Sequence, residues 1–269
     1  MNRTGIITLL TDFGLSDPYA AMMKGVILSI NPDAYLVDIT HGIRTGAIIQ
    51  GAFVMLETYS YFPKGTVHLA VVDPGVGSER RHIGVEADGH LFVGPDNGVL
   101  CPLIERNKDS KVIHLTDKKI FRPHITNTFH GREVFAPVAA HLSKGDDLAA
   151  MGNIIDDPQK LDVPVPYVRN EALFGQVMRV DNFGNLITNI RRDVLEKFLD
   201  SFEPVISIGD LKIKKLGKIY SDTDKGDLLA LINSSDTLEI AVNLGRASEY
   251  LKVDLNEIIG TVVKVGKYQ

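Results

Sequence analysis

At 269 residues, 44% hydrophobic and 23% charged, the chain has the composition of a folded protein with a sizeable core, which excludes disorder, and its length points to two domains. A formal net charge of −5 argues against nucleic acid as a partner, because neutralising phosphates needs a basic surface, and leaves a small molecule as the expected ligand. One cysteine, Cys101, excludes an internal disulfide framework or a zinc-binding cysteine cluster and fits a reducing cytoplasm, and no apolar run approaches the ~18 residues of a membrane span.

In chain order, Ile6 to Thr11 reads as a strand. Asp17-Pro18 reads as an N-cap with proline at the first helical position, opening a helix that Asn31-Pro32 stops. Ala34 to Ile39 is the next strand, Thr45 to Tyr61 a second helix, and Thr66 to Val72 a buried strand with β-branched content. This β-α-β-α-β series predicts a parallel sheet with crossover helices, an α/β domain over residues 1–160. Two short strands, His82 to Glu86 and Leu91 to Val93, are joined by the hairpin pair Asp88-Gly89. Lys111 to Leu115 is a further strand, and Gly131 to Leu142 a helix that Pro137 kinks or begins.

Prolines 158, 164 and 166 mark a linker, placed at 161–169. Beyond it the segments Gly175 to Val180, Leu186 to Ile190, Val205 to Ile208, Leu228 to Ile232, Leu238 to Val242 and Ile258 to Val265 are short and β-rich, with a helix around Asp193 to Leu199. A smaller antiparallel β-barrel or sandwich over 170–269 is the economical architecture.

Several motifs fall at strand ends, where open α/β sheets bind ligands. Asp12 in Thr11-Asp12-Phe13-Gly14 and Asp73 in Asp73-Pro74-Gly75-Val76-Gly77-Ser78-Glu79-Arg80-Arg81 lie at one sheet edge. The glycine-rich turn is not a dinucleotide fingerprint, since its third glycine is missing and strands follow it. It is either a rigid loop or a site. His130, ahead of a helix, is expected to be held neutral by the helix N-terminus, or to serve as a cap. Asp181-Asn182-Phe183-Gly184-Asn185 can form a tight turn, or present an aromatic ring and carboxamides to a purine. Asn233-Ser234-Ser235-Asp236, with Glu239 on the next strand, carries the same ambiguity.

Together with Gly94-Pro95-Asp96-Asn97-Gly98, Phe129-His130-Gly131-Arg132 and Leu238-Glu239-Ile240-Ala241-Val242-Asn243, these motifs resemble one family over nearly the whole chain. It is that of the S-adenosyl-L-methionine (SAM) hydrolases, or SAM hydroxide adenosyltransferases, related to SAM-dependent fluorinating and chlorinating enzymes. The resemblance implies an α/β domain followed by a β-barrel domain, in a homotrimer with the ligand between domains of neighbouring subunits. It implies a water-activating set of Asp73, Arg80 and His130, with Arg81 as a substitute for Arg80. Carried over by position, Asp12 binds the ribose, Asn185 the adenine edge, and Ser234 and Glu239 the methionine end, with Asp181, Phe183, Val242 and Asn243 also in the substrate site. The aromatic residue that halogenating relatives carry two places after Asn185 is Ile187 here. The short hairpin before Gly94, where those relatives have an insertion, favours hydrolysis over halogenation.

The implied chemistry is displacement of methionine from the ribose C5′ carbon by water, with no cofactor and no metal, SAM being the substrate. Either Asp73 or His130 takes the proton. Two rival readings use the same residues: a divalent-metal hydrolase with Asp12, His41, Asp73 and His130 as ligands, and a non-catalytic adenosine- or SAM-binding protein.

Overall fold

The apolar β-branched runs become the centre of a sheet. The structure, a computed structural model, describes residues 2–252 and 255–268, and the chain divides into two units, Met1–Asp162 and Val163–Gln269. In the first, β1 (Ile6–Thr11), β2 (Tyr35–Thr40), β3 (Val67–Val71), β4 (His82–Ala87), β5 (His90–Pro95), β6 (Lys111–Leu115) and β7 (Gly152–Ile155) form one sheet in the order β2-β1-β3-β5-β4-β6-β7. The half from β2 to β5 is parallel, as the β-α-β-α-β series requires. The other half is antiparallel, so the sheet is mixed. Its switch is the β4–β5 hairpin, where Asp88 (φ 46°) and Gly89 (φ 76°) supply the two positive dihedrals of a tight hairpin turn.

Side-chain alternation along β1 and β3 divides the core between two faces. Ile7, Leu9, Val67, Leu69 and Val71 pack with α1 (Tyr19–Ile30) and with the segment around 134–142. On the opposite face, Leu10, Ala70, Val72 and Phe92 share a core with Met55 of α2 (Ile48–Thr58) and with Leu103 of α3 (Cys101–Arg106), a helix missing from the sequence reading.

Helix starts differ from expectation for local reasons. Pro18 itself occupies the N-cap of α1 and no side chain caps the helix, so Asp17 has no capping role. Gly46 (φ 70°) holds residues 45–47 in a turn and delays α2 to Ile48. The helix expected from Gly131 opens as a wide π turn, Gly131–Phe135, before α4 (Ala136–Lys144), with Pro137 in the first turn. The Glu133 carbonyl, which Pro137 has no N–H to serve, accepts the Arg122 N–H at 2.9 Å instead. The proline thereby ties the preceding loop to the helix.

The second unit contains β8 (Tyr167–Arg169), β9 (Ala172–Val180), β10 (Leu186–Arg191), α5 (Arg192–Leu199), β11 (Glu203–Ile208), β12 (Leu211–Ile213), β13 (Leu216–Gly217), β14 (Leu228–Ile232), β15 (Thr237–Val242) and β16 (Val262–Tyr268). The strands follow the order β12-β11-β16-β9-β10-β15-β14-β13, with β8 on β9, in a nearly closed barrel whose one parallel pair among the described residues is β13–β14. Leu173, Val177, Leu186, Ile190, Ile206, Ile240, Val263 and Val265 fill it. Residues 167–169, inside the expected linker, are thus a strand. The last strand starts at Val262 rather than Ile258, because Gly260 (φ 86°) interrupts the run. Among the described residues no helix is long and apolar enough to cross a membrane.

Candidate active site

Parallel pairing of β1 with β3 aligns Thr11 with Val71, so Asp12 and Asp73 leave the same sheet edge on adjacent strands. One oxygen of Asp12 accepts the Gly46 N–H at 2.8 Å and anchors the turn before α2. Around Asp73 the chain turns back through Gly75 and Gly77 and delivers Arg80 to the carboxylate. Arg80 Nε donates to Asp73 Oδ1 at 2.7 Å and Nη2 donates to Oδ2, a bidentate grip between side chains only 7% and 5% exposed. The same Nη2 donates to His130 Nδ1 at 3.1 Å. Three residues spread over the sequence meet here, as the family resemblance implies.

Gly77 explains how the His130 loop comes so close. At φ 80° it takes a conformation that L side chains avoid, and a Cβ there would overlap the Asn127 carbonyl oxygen. Loop 122–130 is secured on its other side by Glu133, whose buried carboxylate accepts the Thr126 N–H at 2.9 Å and Thr126 hydroxyl at 3.0 Å and pairs with Arg132. Burial works against the charge on Glu133, but Arg132 and Thr126 outweigh it and hold its pKa below the usual carboxylate value. Phe13, Tyr19 and Phe129 pack edge to face at 5.3–5.9 Å, joining the loop after β1 to the same segment.

Arg81 is not interchangeable with Arg80. Its guanidinium donates to Asp96 Oδ2 at 2.7 Å and to Asp157 Oδ1 at 2.7 Å, away from Asp73. The alternation of an extended chain explains the division: Arg80 and His82 share one side and Arg81 takes the other. His82, read from the sequence only as the first residue of a strand, places Nε2 2.9 Å from His130 Nδ1. That alternation was the signal that could have found it.

Burial, and then the Arg80 charge, lowers the pKa of His130, while Asp73 and Glu133 pull the other way. The imidazole is therefore neutral near pH 7, but desolvation, rather than the helix terminus, is the leading cause. Guanidinium has no acceptor, so His130 Nδ1 must accept in the Arg80 contact and the imidazole proton resides on Nε2. The Thr126 backbone adds to the pull of Asp73 and Glu133 toward the charged ring. Neutral His130 thus has no idle lone pair with which to act as a base. Arg80 has all but one of its N–H groups committed, to Asp73, His130 and the Arg81 carbonyl. What the cluster offers an incoming oxygen is the remaining lone pairs of Asp73 flanked by N–H donors.

In the second unit, Asp181 accepts the Phe183 and Asn185 N–H groups at 2.8 and 2.9 Å and the Asn185 side chain at 3.0 Å, a tight Asx turn. Asn185 is buried within it and Phe183 projects, 73% exposed. Glu239 is 3% exposed and accepts the Tyr220 hydroxyl at 2.9 Å. Burial raises the pKa of Glu239, and Asp181 adds to the effect, while burial and then Glu239 push Tyr220 up to about 12. Two carboxylates and a phenol therefore form one acidic group; sequence reasoning missed Tyr220. Ser234 is exposed at the tip of the β14–β15 hairpin. Val242 is a core residue, and the Asn243 side chain holds the Thr223 carbonyl at 2.7 Å, so both serve the fold in this structure.

His41, the fourth ligand of the metal reading, bonds Thr11 Oγ1 at 2.8 Å and faces Asp38 at 3.1 Å. Among the described residues no three His, Cys, Asp or Glu side chains are grouped to hold a metal ion. The residues present do not fit that reading.

Residues 7–152 match the SAM hydroxide adenosyltransferase N-terminal domain and residues 175–259 match the C-terminal domain of the same family. A relative from Methanocaldococcus jannaschii, named (R)-S-adenosyl-L-methionine hydrolase, is 39% identical over 266 residues, covering 94% of each chain. Another of that name, from Salinispora tropica, is 35% identical and covers 94% of this chain and 96% of its own. The crystal structure of an uncharacterized conserved protein from Thermotoga maritima superposes with a TM-score of 0.89 at 37% identity, covering 97% of this chain and all of that one. With both domain matches in order, and the Asp73, Arg80 and His130 cluster assembled at the sheet edge, the chain belongs to the SAM hydroxide adenosyltransferase family.

Proposed function

We propose that the protein hydrolyses S-adenosyl-L-methionine to adenosine and L-methionine by attack of water at the ribose C5′ carbon. The observation that carries this reading is the convergence of Asp73, Arg80 and His130 into one largely desolvated cluster. The named activity of the relatives supports it, and extends it to the (R) form of the substrate.

In the proposed step a water oxygen bonds C5′ as the C5′–S bond breaks, and the bonding pair goes to sulfur, which leaves as the neutral thioether of methionine. Water's proton passes to Asp73, the group in the cluster with unoccupied lone pairs, and from there to solvent. The uncommitted N–H of Arg80 and the His130 Nε2–H donate to the oxygen as negative charge builds on it. The substrate carries a sulfonium and an ammonium, and the acidic group of Asp181, Glu239 and Tyr220 offers charge of the opposite sign for its methionine end. Asp12 and Asn185 are assigned to the ribose and adenine. The homotrimer belongs to the same proposal, and sedimentation equilibrium tests it by mass.

Incubating the purified protein with SAM and separating products by chromatography, with and without halide and chelator, tests the function. Adenosine and methionine in equal amounts, unaffected by either addition, are expected. Tight adenosine binding without product would assign the protein to the non-catalytic reading, and 5′-halogenated product to the halogenating one.

A further inference from the structure

A buried imidazole needs a polar partner to offset its desolvation, and His82 finds one beside the reacting groups. It stands at the start of β4, packed edge to face against His130 (4.8 Å between ring centroids), Phe135 (5.4 Å) and Phe121 (6.2 Å). The Arg80 guanidinium lies over the Phe135 ring, 5.5 Å from its centre. The polar contact of the His82 ring is Nε2 to His130 Nδ1 at 2.9 Å, shorter than the 3.1 Å from Arg80 to the same atom.

The direction of this bond follows from the network. Arg80 can only donate, so His130 Nδ1 is an acceptor, and His82 must bring the proton on its own Nε2. Burial and the neighbouring Arg80 charge press the His82 pKa down to about 3, so the ring stays neutral and its single N–H is the one that points at His130. The two N–H donors share the single lone pair of Nδ1, which keeps the proton of the His130 ring on Nε2.

From this geometry we infer that His82 is a positioning residue for the hydrolytic reaction: as the nearer of the two donors on His130 Nδ1 it joins Arg80 in keeping the imidazole proton on Nε2, and so makes His130 a fixed donor rather than a competing base beside Asp73. The inference rests on the hydrolytic reading above for its catalytic consequence, and on the His82–His130 contact alone for its structural part. The groups that face His130 are Arg80, Asp73, His82 and Glu133, and of these only His82 and Arg80 reach Nδ1.

Two variants separate the donor from the bulk. His82→Leu fills the space without an N–H, whereas His82→Gln can place an amide N–H near the position of Nε2. Nitrogen NMR of histidine-labelled protein reads the state of His130 Nδ1 directly, in parallel with steady-state kinetics on SAM. In the wild type Nδ1 is expected to remain an unprotonated acceptor at neutral pH. In His82→Leu the Nδ1 resonance should shift, His130 should titrate at higher pH, and kcat should fall roughly 10-fold or more with KM changed less than about 3-fold, since only a positioned donor is lost. His82→Gln should recover most of both effects. An unchanged Nδ1 resonance and titration in folded His82→Leu, or a kcat within about 2-fold of wild type, would overturn the inference. If His82→Leu does not fold, His82→Asn, too short to reach Nδ1, is compared with His82→Gln in the same way. Absence of SAM turnover in the wild type would sink the hydrolytic reading by itself, while the NMR comparison would still decide whether His82 holds His130.

Discussion

The Arg80 guanidinium reaches His130 Nδ1 at 3.1 Å with the same nitrogen that grips Asp73, so one side chain fixes the other two members of the cluster. A lysine is a point charge and cannot bridge both. Arg80→Lys should therefore lower kcat by about 10²–10³-fold, the usual cost of losing a preorganised donor, with a smaller change in KM. Arg81→Lys, whose partners are Asp96 and Asp157, should stay within about 3-fold of wild type in kcat. Steady-state kinetics on the two variants checks the assignment, and a reversed order of effects would reassign the water-facing arginine to Arg81.

Gly77 is required by a backbone approach that Gly75 does not share. A Cβ at 77 meets the Asn127 carbonyl in a left-handed conformation, while at 75 the nearest atom, Ser78 Oγ, is at an ordinary 3.5 Å. Gly77→Ala should cost about 1–3 kcal/mol and displace the His130 loop, lowering kcat as well as stability. Gly75→Ala should be nearly silent. Urea midpoints alongside turnover test the pair.

Acid should weaken the fold through His68, which is fully buried between Thr8, His90 and Phe92 and whose pKa burial, followed by His90, depresses to about 3. As pH falls through the ordinary value of 6.5 the unfolded chain takes up this proton and the folded chain does not. Stability is thus complete above that pH and declines toward pH 3, by up to about 1.4 kcal/mol per pH unit for this residue. Urea midpoints from pH 7.5 to 4.5 should fall accordingly. His68→Phe should start lower at pH 7.5, having orphaned the Thr8 hydroxyl, but show a shallower decline.

Substrate affinity should carry its own acid limb. Burial raises the Glu239 pKa, so this carboxylate is neutralised at a higher pH than an ordinary glutamate would be. KM for the cationic substrate should rise as pH falls toward that range, and Glu239→Gln should have a raised KM with this limb removed. Tyr220→Phe, losing a hydrogen bond to a charged group, should raise KM roughly 10-fold. A KM independent of pH in the wild type would remove Glu239 from the methionine site.

Much of this architecture was legible in the chain. The run 66–72 is buried along its whole length because the strand is covered on both faces, and Asp88-Gly89 marks the hairpin because both residues adopt positive φ. The site was legible in part. Asp73 and Arg80 are close in sequence, but pairing them with His130 came from the family resemblance, since the loop that returns it is set by Gly77, Glu133 and Pro137 acting together. His82 was read only as the first residue of a strand, although its alternation with Arg80 marked the shared side. Val242 and Asn243 were drawn into the substrate site by their motif, and their side chains are spent on the core and on the Thr223 carbonyl. The β4–β5 hairpin was read, but its extension by β6 and β7 into one mixed sheet escaped, because short strands do not declare their direction until paired.

The central claim is that water attacks C5′ while methionine leaves, and oxygen labelling tests it most directly. SAM is turned over in water enriched in oxygen-18, and the adenosine and methionine formed are examined by mass spectrometry. One labelled oxygen in the 5′-hydroxyl of adenosine, and none in methionine, is the predicted result. Unlabelled adenosine, or no adenosine at all from protein that binds SAM, would contradict it.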